Sequence, residues 1–176
     1  MIYILTGEIN SGKTTALSGW VDLWRRQGCV IGGILAPANW HRGEKASYDV
    51  MDVRTGKRCL LASREPLENA ESFGNFRFSK EGLVFGENAL LGLNAEMDIG
   101  VVDEIGPLEL DHRGWAQSFR AVLSHPPENL IVVVRNSLVN MVVDAFLVSS
   151  FDILTVNSNP PSIIVQGNKD KRGKTL

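Results

Sequence analysis

Residues Gly7, Glu8, Ile9, Asn10, Ser11, Gly12, Lys13 and Thr14 match the pattern G-x-x-x-x-G-K-[ST] at every fixed position. The spacing suits one kind of chemistry. Glycines let the backbone curl so that successive N–H groups point inward at phosphate oxygens. Lys13 can reach the β- and γ-phosphates of a nucleoside triphosphate, and the Thr14 hydroxyl can hold Mg²⁺. A helix opening here would add its positive N-terminal end. These eight residues, together with Thr15, form the expected nucleotide-binding set for a triphosphate such as ATP or GTP. Glu8 puts a carboxylate into an anion-binding loop, so its side chain is expected to face solvent. Thr15 sits where packing at a helix start is a better account than ligand contact.

A second acidic motif lies far along the chain. The apolar run Ile99-Gly100-Val101-Val102 ends in Asp103-Glu104. An acid at the carboxyl end of a buried strand, following a phosphate loop, is placed to share Mg²⁺ with Thr14. Glu104 is then the candidate general base for an attacking water. An enzyme that uses such a glutamate is expected to carry an extra strand between the phosphate-loop strand and the Asp103 strand. Arg135 follows the apolar run 130–134 and could reach the γ-phosphate as a transition-state cation. A surface arginine at a strand end is the alternative. Lys13, Glu104 and Arg135 are thus the catalytic candidates, and Thr14 and Asp103 the metal candidates. Asn168-Lys169-Asp170-Lys171 does not match the guanine-reading N-K-x-D signature, because its acid comes one position early.

The elements that must position these residues read as an α/β chain. Residues 2–6, 29–35, 99–102, 130–134 and 153–156 are apolar without polar alternation, as strands buried on both faces are. After the loop, Leu17, Trp20, Val21 and Trp24 share one helix face, with Gly28 as the stop. Ser79 and Asp111 are candidate N-caps, the first for a helix carrying Leu83, Leu90, Leu91 and Leu93, the second for one carrying Trp115, Phe119, Val122 and Leu123. A further helix is expected at 137–148. Between 36 and 78 lies an insertion: a polar loop at 39–45, a hairpin of 48–53 with 57–62 around Thr55-Gly56, and a short strand at 75–78. An edge strand at 162–165 and a mobile tail at 168–176 complete the reading, with one domain over 1–167. The fold class is α/β, a mostly parallel sheet with helices on both faces.

The bulk numbers set bounds. A chain of 176 residues can bury a full core. Its net charge of −2 supplies no global positive field to call for nucleic acid or an anionic membrane. No apolar run approaches the ~18 residues that a membrane helix needs. Cys29 and Cys59 have no metal-binding or redox spacing and read as small buried hydrophobes in a reducing compartment. A cytoplasmic protein is the expectation, with no membrane partner and no clear nucleic-acid site; the sequence leaves the oligomeric state open.

The run Asp103-Glu104-Ile105-Gly106-Pro107-Leu108-Glu109-Leu110 resembles the D-E-I-G-P-[LM]-E-L signature of the small nucleoside-triphosphatases of the cancer-related type, also found in thermophilic bacteria and archaea. Gly32 to Pro37, Tyr48 to Val53, Thr55-Gly56, Leu61-Ala62 and Gly74-Asn75-Phe76 continue the resemblance over most of residues 1–156. It implies a RecA-like phosphate-loop core and slow, Mg²⁺-dependent hydrolysis of ATP, GTP and other triphosphates. Where the family carries a G-x-R-x-G-F-like approach to the hairpin, this chain has Trp40-His41-Arg42-Gly43-Glu44-Lys45, and Arg42 is the candidate for that arginine. Two other readings stay open: a nucleotide or small-molecule kinase with its acceptor site in the 36–78 insertion, and a nucleotide-dependent binding switch.

Overall fold

Strand β1 (Ile2–Gly7) lacks polar alternation because the protein covers both of its faces. Ile4 packs into one apolar cluster and its neighbour Leu5 into the other. The computed structural model describes residues 1–163, and the same division by alternate residues runs through β2 (Ile31–Leu35), β8 (Ile99–Val102) and β9 (Asn129–Arg135). On one side, α1 (Lys13–Arg26) lays Leu17, Trp20, Val21 and Trp24 against Leu5, Val101, Ile131 and Val133. On the other, α2 (Lys80–Leu91), α4 (Ala116–Ser124) and α5 (Val139–Phe146) bury Leu90, Phe119, Val122, Val142 and Phe146 against Ile4, Ile34, Val102, Val132 and Val134. Each such side chain removed from water is worth about 1.5–3 kcal/mol, so both faces contribute to holding the sheet.

The strands form one sheet in the order β10-β1-β9-β8-β2-β4-β5-β7-β6, with β3 paired to β4. From β10 (Asp152–Thr155) to β2 every pairing is parallel. Strand β10, expected to be buried on both faces, is instead the outermost described strand at its end of the sheet and leaves Asp152, Ile153 and Thr155 exposed. Strand β9 separates β1 from β8, the order expected for an enzyme that uses Glu104. Gly33 is required where β2 meets β8. Its φ is +102°, and a Cβ there would stand 1.9 Å from the Val101 carbonyl oxygen.

Beyond β2 the sheet turns antiparallel through β4 (Glu44–Asp52), β5 (Arg58–Ser63), β7 (Phe76–Ser79) and β6 (Ala70–Phe73). The insertion is therefore a continuation of the core sheet. The polar loop expected at 39–45 is instead β3 (Ala38–His41) and the start of β4, joined by a two-residue turn at Arg42-Gly43. Both turn residues have positive φ, +49° and +82°, as a type I′ hairpin requires. Asn-Gly or Asp-Gly announces such a turn; Arg-Gly does not.

Ser79 caps α2 as expected, its hydroxyl accepting from the Gly82 amide at 3.1 Å. Asp111 does not cap α4. It ends a short helix, α3 (Pro107–Leu110), that the sequence did not announce. The chain then turns through His112 and Gly114, both left-handed, and α4 begins after Trp115 without a side-chain cap. The helix expected at 137–148 is a 3-10 turn, Asn136–Leu138, leading into α5. Ser162 and Ile163 are not in a strand. The rest of the expected edge strand, the domain limit at 167 and the tail at 168–176 lie outside the described residues.

Candidate active site

The phosphate loop joins β1 to α1. Gly12, at φ +88°, makes the final left-handed bend before the helix, a conformation that costs glycine little. Lys13 is buried, and its Nζ donates to the carbonyl oxygens of Gly7 at 3.1 Å and Glu8 at 2.7 Å. Burial pushes its ammonium below the ordinary lysine value. The positive charges of Arg135 and Lys45 push the same way, while Glu104 and Asp103 oppose. Among the described residues Ser11 Oγ is the buried side-chain polar atom with no hydrogen-bond partner. An unsatisfied hydroxyl inside a phosphate loop is a donor waiting for an anion. Ile9 and Asn10 are exposed at the tip, and Thr15 is exposed on the first turn of α1.

Glu8 is exposed, as expected, yet its carboxylate is engaged. Glu8 Oε1 accepts from Asn136 Nδ2 at 3.3 Å, and Asn136 Oδ1 accepts from the Thr6 hydroxyl at 2.8 Å. Asn136 thus ties the loop to the end of β9. The sequence reading missed it, since only the parallel pairing of β1 with β9 brings residue 136 to residue 6.

Asp103 is fully buried at the end of β8. Its Oδ1 accepts from the Thr14 hydroxyl at 3.3 Å and its Oδ2 from the Ala36 amide at 2.9 Å. Burial pushes its pKa up to about 6, and Glu104 adds to the effect; the Ala36 amide, Thr14 and Lys13 pull the other way. A buried carboxylate aimed at a hydroxyl is a hard-oxygen donor pair of the kind that suits Mg²⁺, which keeps several waters and needs few protein ligands. Among the described residues no cluster of three or more His, Cys, Asp or Glu offers an alternative metal site.

Glu104 adopts a left-handed backbone, φ +67°, which turns it out of the β8 line. Its Oε1 accepts from Arg135 Nε at 3.0 Å and from Arg135 Nη2 at 2.7 Å. Both side chains are about one-third exposed, so the pair faces a partly open cleft. Behind it, Glu109 is buried and takes the amides of Gly106 at 3.0 Å and Trp115 at 3.3 Å. Burial raises its pKa to about 7 against those two hydrogen bonds. Glu109 shapes the turn after Glu104.

Arg42 sits at the exposed tip of the β3–β4 hairpin, and its side chain has no hydrogen bond or ion pair among the described residues. The other cation on this hairpin is Lys45. Its Nζ lies 5.2 Å from the Tyr48 ring centre and 5.6 Å from that of Trp40, and its charge acts on Lys13. Trp40 is exposed and packs beside this lysine.

A glycine-bent loop between a buried strand and a helix, facing an acid across an intervening strand, defines the phosphate-loop NTPase class. The family model described as NTPase matches residues 2–166, and the chain belongs to that family. It is similar to the nucleoside-triphosphatase THEP1 of Methanothermobacter thermautotrophicus, 31% identical over 141 residues, which covers 78% of this chain and 79% of that one. It is also similar to the THEP1 of Methanosarcina barkeri, 29% identical over 155 residues, covering 87% and 86%. Among solved structures, a human cancer-related nucleoside triphosphatase superposes with a TM-score of 0.68 at 19% identity, covering 87% of each chain. THEP1 from Aquifex aeolicus gives 0.68 at 18% identity, covering 89% and 90%. These two likenesses speak for the fold.

Proposed function

We propose that the chain hydrolyses nucleoside triphosphates to diphosphate and phosphate with Mg²⁺ held at Thr14 and Asp103. That it is a nucleoside-triphosphatase follows from its family. The observation that carries the metal and residue assignments is the Thr14 hydroxyl 3.3 Å from the Asp103 carboxylate, with Glu104 next in the chain. Mg²⁺, when bound, supplies charge neutralisation at the β- and γ-phosphate oxygens.

The chain's own groups then divide the work. Backbone N–H groups of residues 7–14, the Ser11 hydroxyl and Lys13 hold the phosphates. Glu104 presents one carboxylate oxygen to Arg135 and has the other for a water proton. Arg135 orients Glu104 through Nε and Nη2 and keeps Nη1 for a phosphate oxygen. The contacts so assigned are to phosphates, which every nucleotide shares, so acceptance of ATP, GTP, CTP and UTP is expected. Turnover is expected below the enzyme median of about 10 s⁻¹. A cytoplasmic setting fits the two free thiols, Cys29 and Cys59, which a reducing compartment would preserve. No helix of the described residues is long and apolar enough to cross a membrane.

The test is phosphate release from the four triphosphates with Mg²⁺ and with EDTA. Release from all four that stops on chelation is the expected result. Release indifferent to chelation, or confined to one base, would overturn the reading.

A further inference from the structure

The cleft at Glu104 does not end at the catalytic pair. It opens into a cavity of about 280 Å³, and none of the phosphate-loop residues 7–15 lines it. The cavity lies on the helix α2–α4 side of the sheet, with Leu83 and Trp115 in its wall, whereas α1 and the loop that starts it belong to the opposite side. Its antiparallel wall is aromatic. Tyr48, Phe76 and Phe78 face it, with the Tyr48 and Phe76 rings edge to face at 5.1 Å. Asn75, in the two-residue turn between β6 and β7, also lines it. Glu104 and Arg135 close the floor.

The wall is held in place. Arg113 pairs with Glu71 at 3.0 Å and lies over the Phe73 ring, pinning the β6–β7 hairpin to the turn before α4. Water needs no aromatic chamber to reach Glu104. A chamber of this kind suits a second substrate.

Its chemistry can be narrowed. An apolar cavity of about 150 Å³ accommodates benzene, so 280 Å³ admits a substituted single ring or a fused pair. Among the lining residues Arg135 is the one cation, and it is already paired with Glu104. Arg64 and Arg113, which lie over Phe76 and Phe73, are paired with Glu44 and with Glu71 and Asp111. Lys45 lies over the Tyr48 ring without an ion pair among the described residues, but the lining itself holds three acids, Asp103, Glu104 and Glu109, against Arg135, so an anionic acceptor such as a nucleoside monophosphate is disfavoured.

We propose that this cavity binds a small, neutral, planar aromatic alcohol, whose hydroxyl takes the γ-phosphoryl group in place of water. The proposal rests on the role given to Glu104 above. The acceptor oxygen forms a bond to the γ-phosphorus. The bond from that phosphorus to the β,γ-bridging oxygen breaks, and its electron pair leaves with the nucleoside diphosphate. The hydroxyl proton passes to Glu104 and on to solvent. Hydrolysis is the same step with water at the cavity floor.

The experiment uses the full chain and three neutral probes, benzyl alcohol, 3-(hydroxymethyl)pyridine and 2-(hydroxymethyl)naphthalene, with cytidine monophosphate as the anionic contrast. Saturation-transfer NMR reads binding without nucleotide, and γ-labelled ATP with Mg²⁺ reads phosphomonoester formation. At least one neutral probe should show saturation transfer and yield a phosphomonoester. Phe76→Ala should lower the ratio of phosphomonoester to free phosphate about tenfold. Asn75→Ala, in an exposed turn that cannot unfold the core, should lower it about threefold. No saturation transfer, binding without phosphomonoester, unchanged ratios in both variants, or a preference for cytidine monophosphate would each overturn the proposal. Because probe binding is read without nucleotide, failure of the cavity is distinguishable from failure of Glu104 in hydrolysis, which the phosphate channel reports separately.

Discussion

Arg135 places two of its N–H groups, Nε at 3.0 Å and Nη2 at 2.7 Å, on the same oxygen of Glu104. The second carboxylate oxygen and the Nη1 group therefore point to other work. An aspartate one position earlier is fully buried while this glutamate is about one-third exposed, and the proposed hydrolysis uses the two acids differently: Asp103 for a metal, Glu104 for a proton.

Glu104→Gln should lower the phosphate-release rate by about 10²–10⁴-fold, the range for removing a general base, with triphosphate binding retained in a fluorescent-nucleotide titration. Because Arg135 acts through the same carboxylate, Glu104→Gln combined with Arg135→Ala should cost far less than the product of the single losses. Independent losses would separate the two residues.

Lys45→Ala should lower kcat/KM for a triphosphate about tenfold, equivalent to about 1.4 kcal/mol. The reason is that the Lys45 charge acts on the same region as Lys13. Steady-state kinetics decide it, and Arg42→Ala serves as the control expected to change little. Equal effects of the two would return Arg42 to the site.

Stability should fall as the pH rises from about 4.5 to about 7. Glu109 binds its proton more tightly when folded, at about 7, than at its ordinary 4.5. Folding therefore takes up a proton in that window, and the contribution is fully present below 4.5 and lost as pH passes 7. The displacement corresponds to about 3 kcal/mol, or about 10 °C in Tm for a chain of this size. Asp103, pushed up to about 6, acts with the same sign. Melting curves from pH 5 to 8 should show the fall, and Glu109→Gln should flatten it. A variant with the wild-type slope would remove Glu109 as its source.

Gly33→Ala should cost about 3 kcal/mol or more, because it combines a left-handed backbone with a Cβ 1.9 Å from the Val101 oxygen. Gly56→Ala isolates the backbone part, since a Cβ at Gly56 meets nothing within 4 Å. Chemical denaturation of the two variants should rank Gly33→Ala well below Gly56→Ala.

What could be read beforehand was what is local in sequence. The phosphate loop, the Asp103-Glu104 pair and the four core strands β1, β2, β8 and β9 announce themselves because their chemistry fits into a few adjacent residues, whereas the apolar run at 153–156 forms the mostly exposed β10. Even the placement of β9 between β1 and β8 followed from Glu104. What escaped depends on pairing at a distance. Lys45 enters only because Arg42-Gly43 makes a tight hairpin without the usual residues. Asn136 matters only because parallel pairing sets it beside Thr6. Strand β6 was hidden because Ala70, Glu71, Ser72 and Phe73 carry no apolar run, and its partner β7 supplies the order. Helix α3 is a single turn, too short for periodicity to register.

Ala36 carries one last consequence. Its amide holds Asp103 Oδ2, while the same residue lines the aromatic cavity. A ligand that draws the Asp103 carboxylate tighter must reposition that amide, and one that wedges against Ala36 must reposition the carboxylate. Thermodynamic reciprocity makes the two influences equal. With a metal at Asp103 as proposed, an occupant of the cavity would be felt as a change in metal affinity, and amide hydrogen exchange at residue 36 would register both occupants.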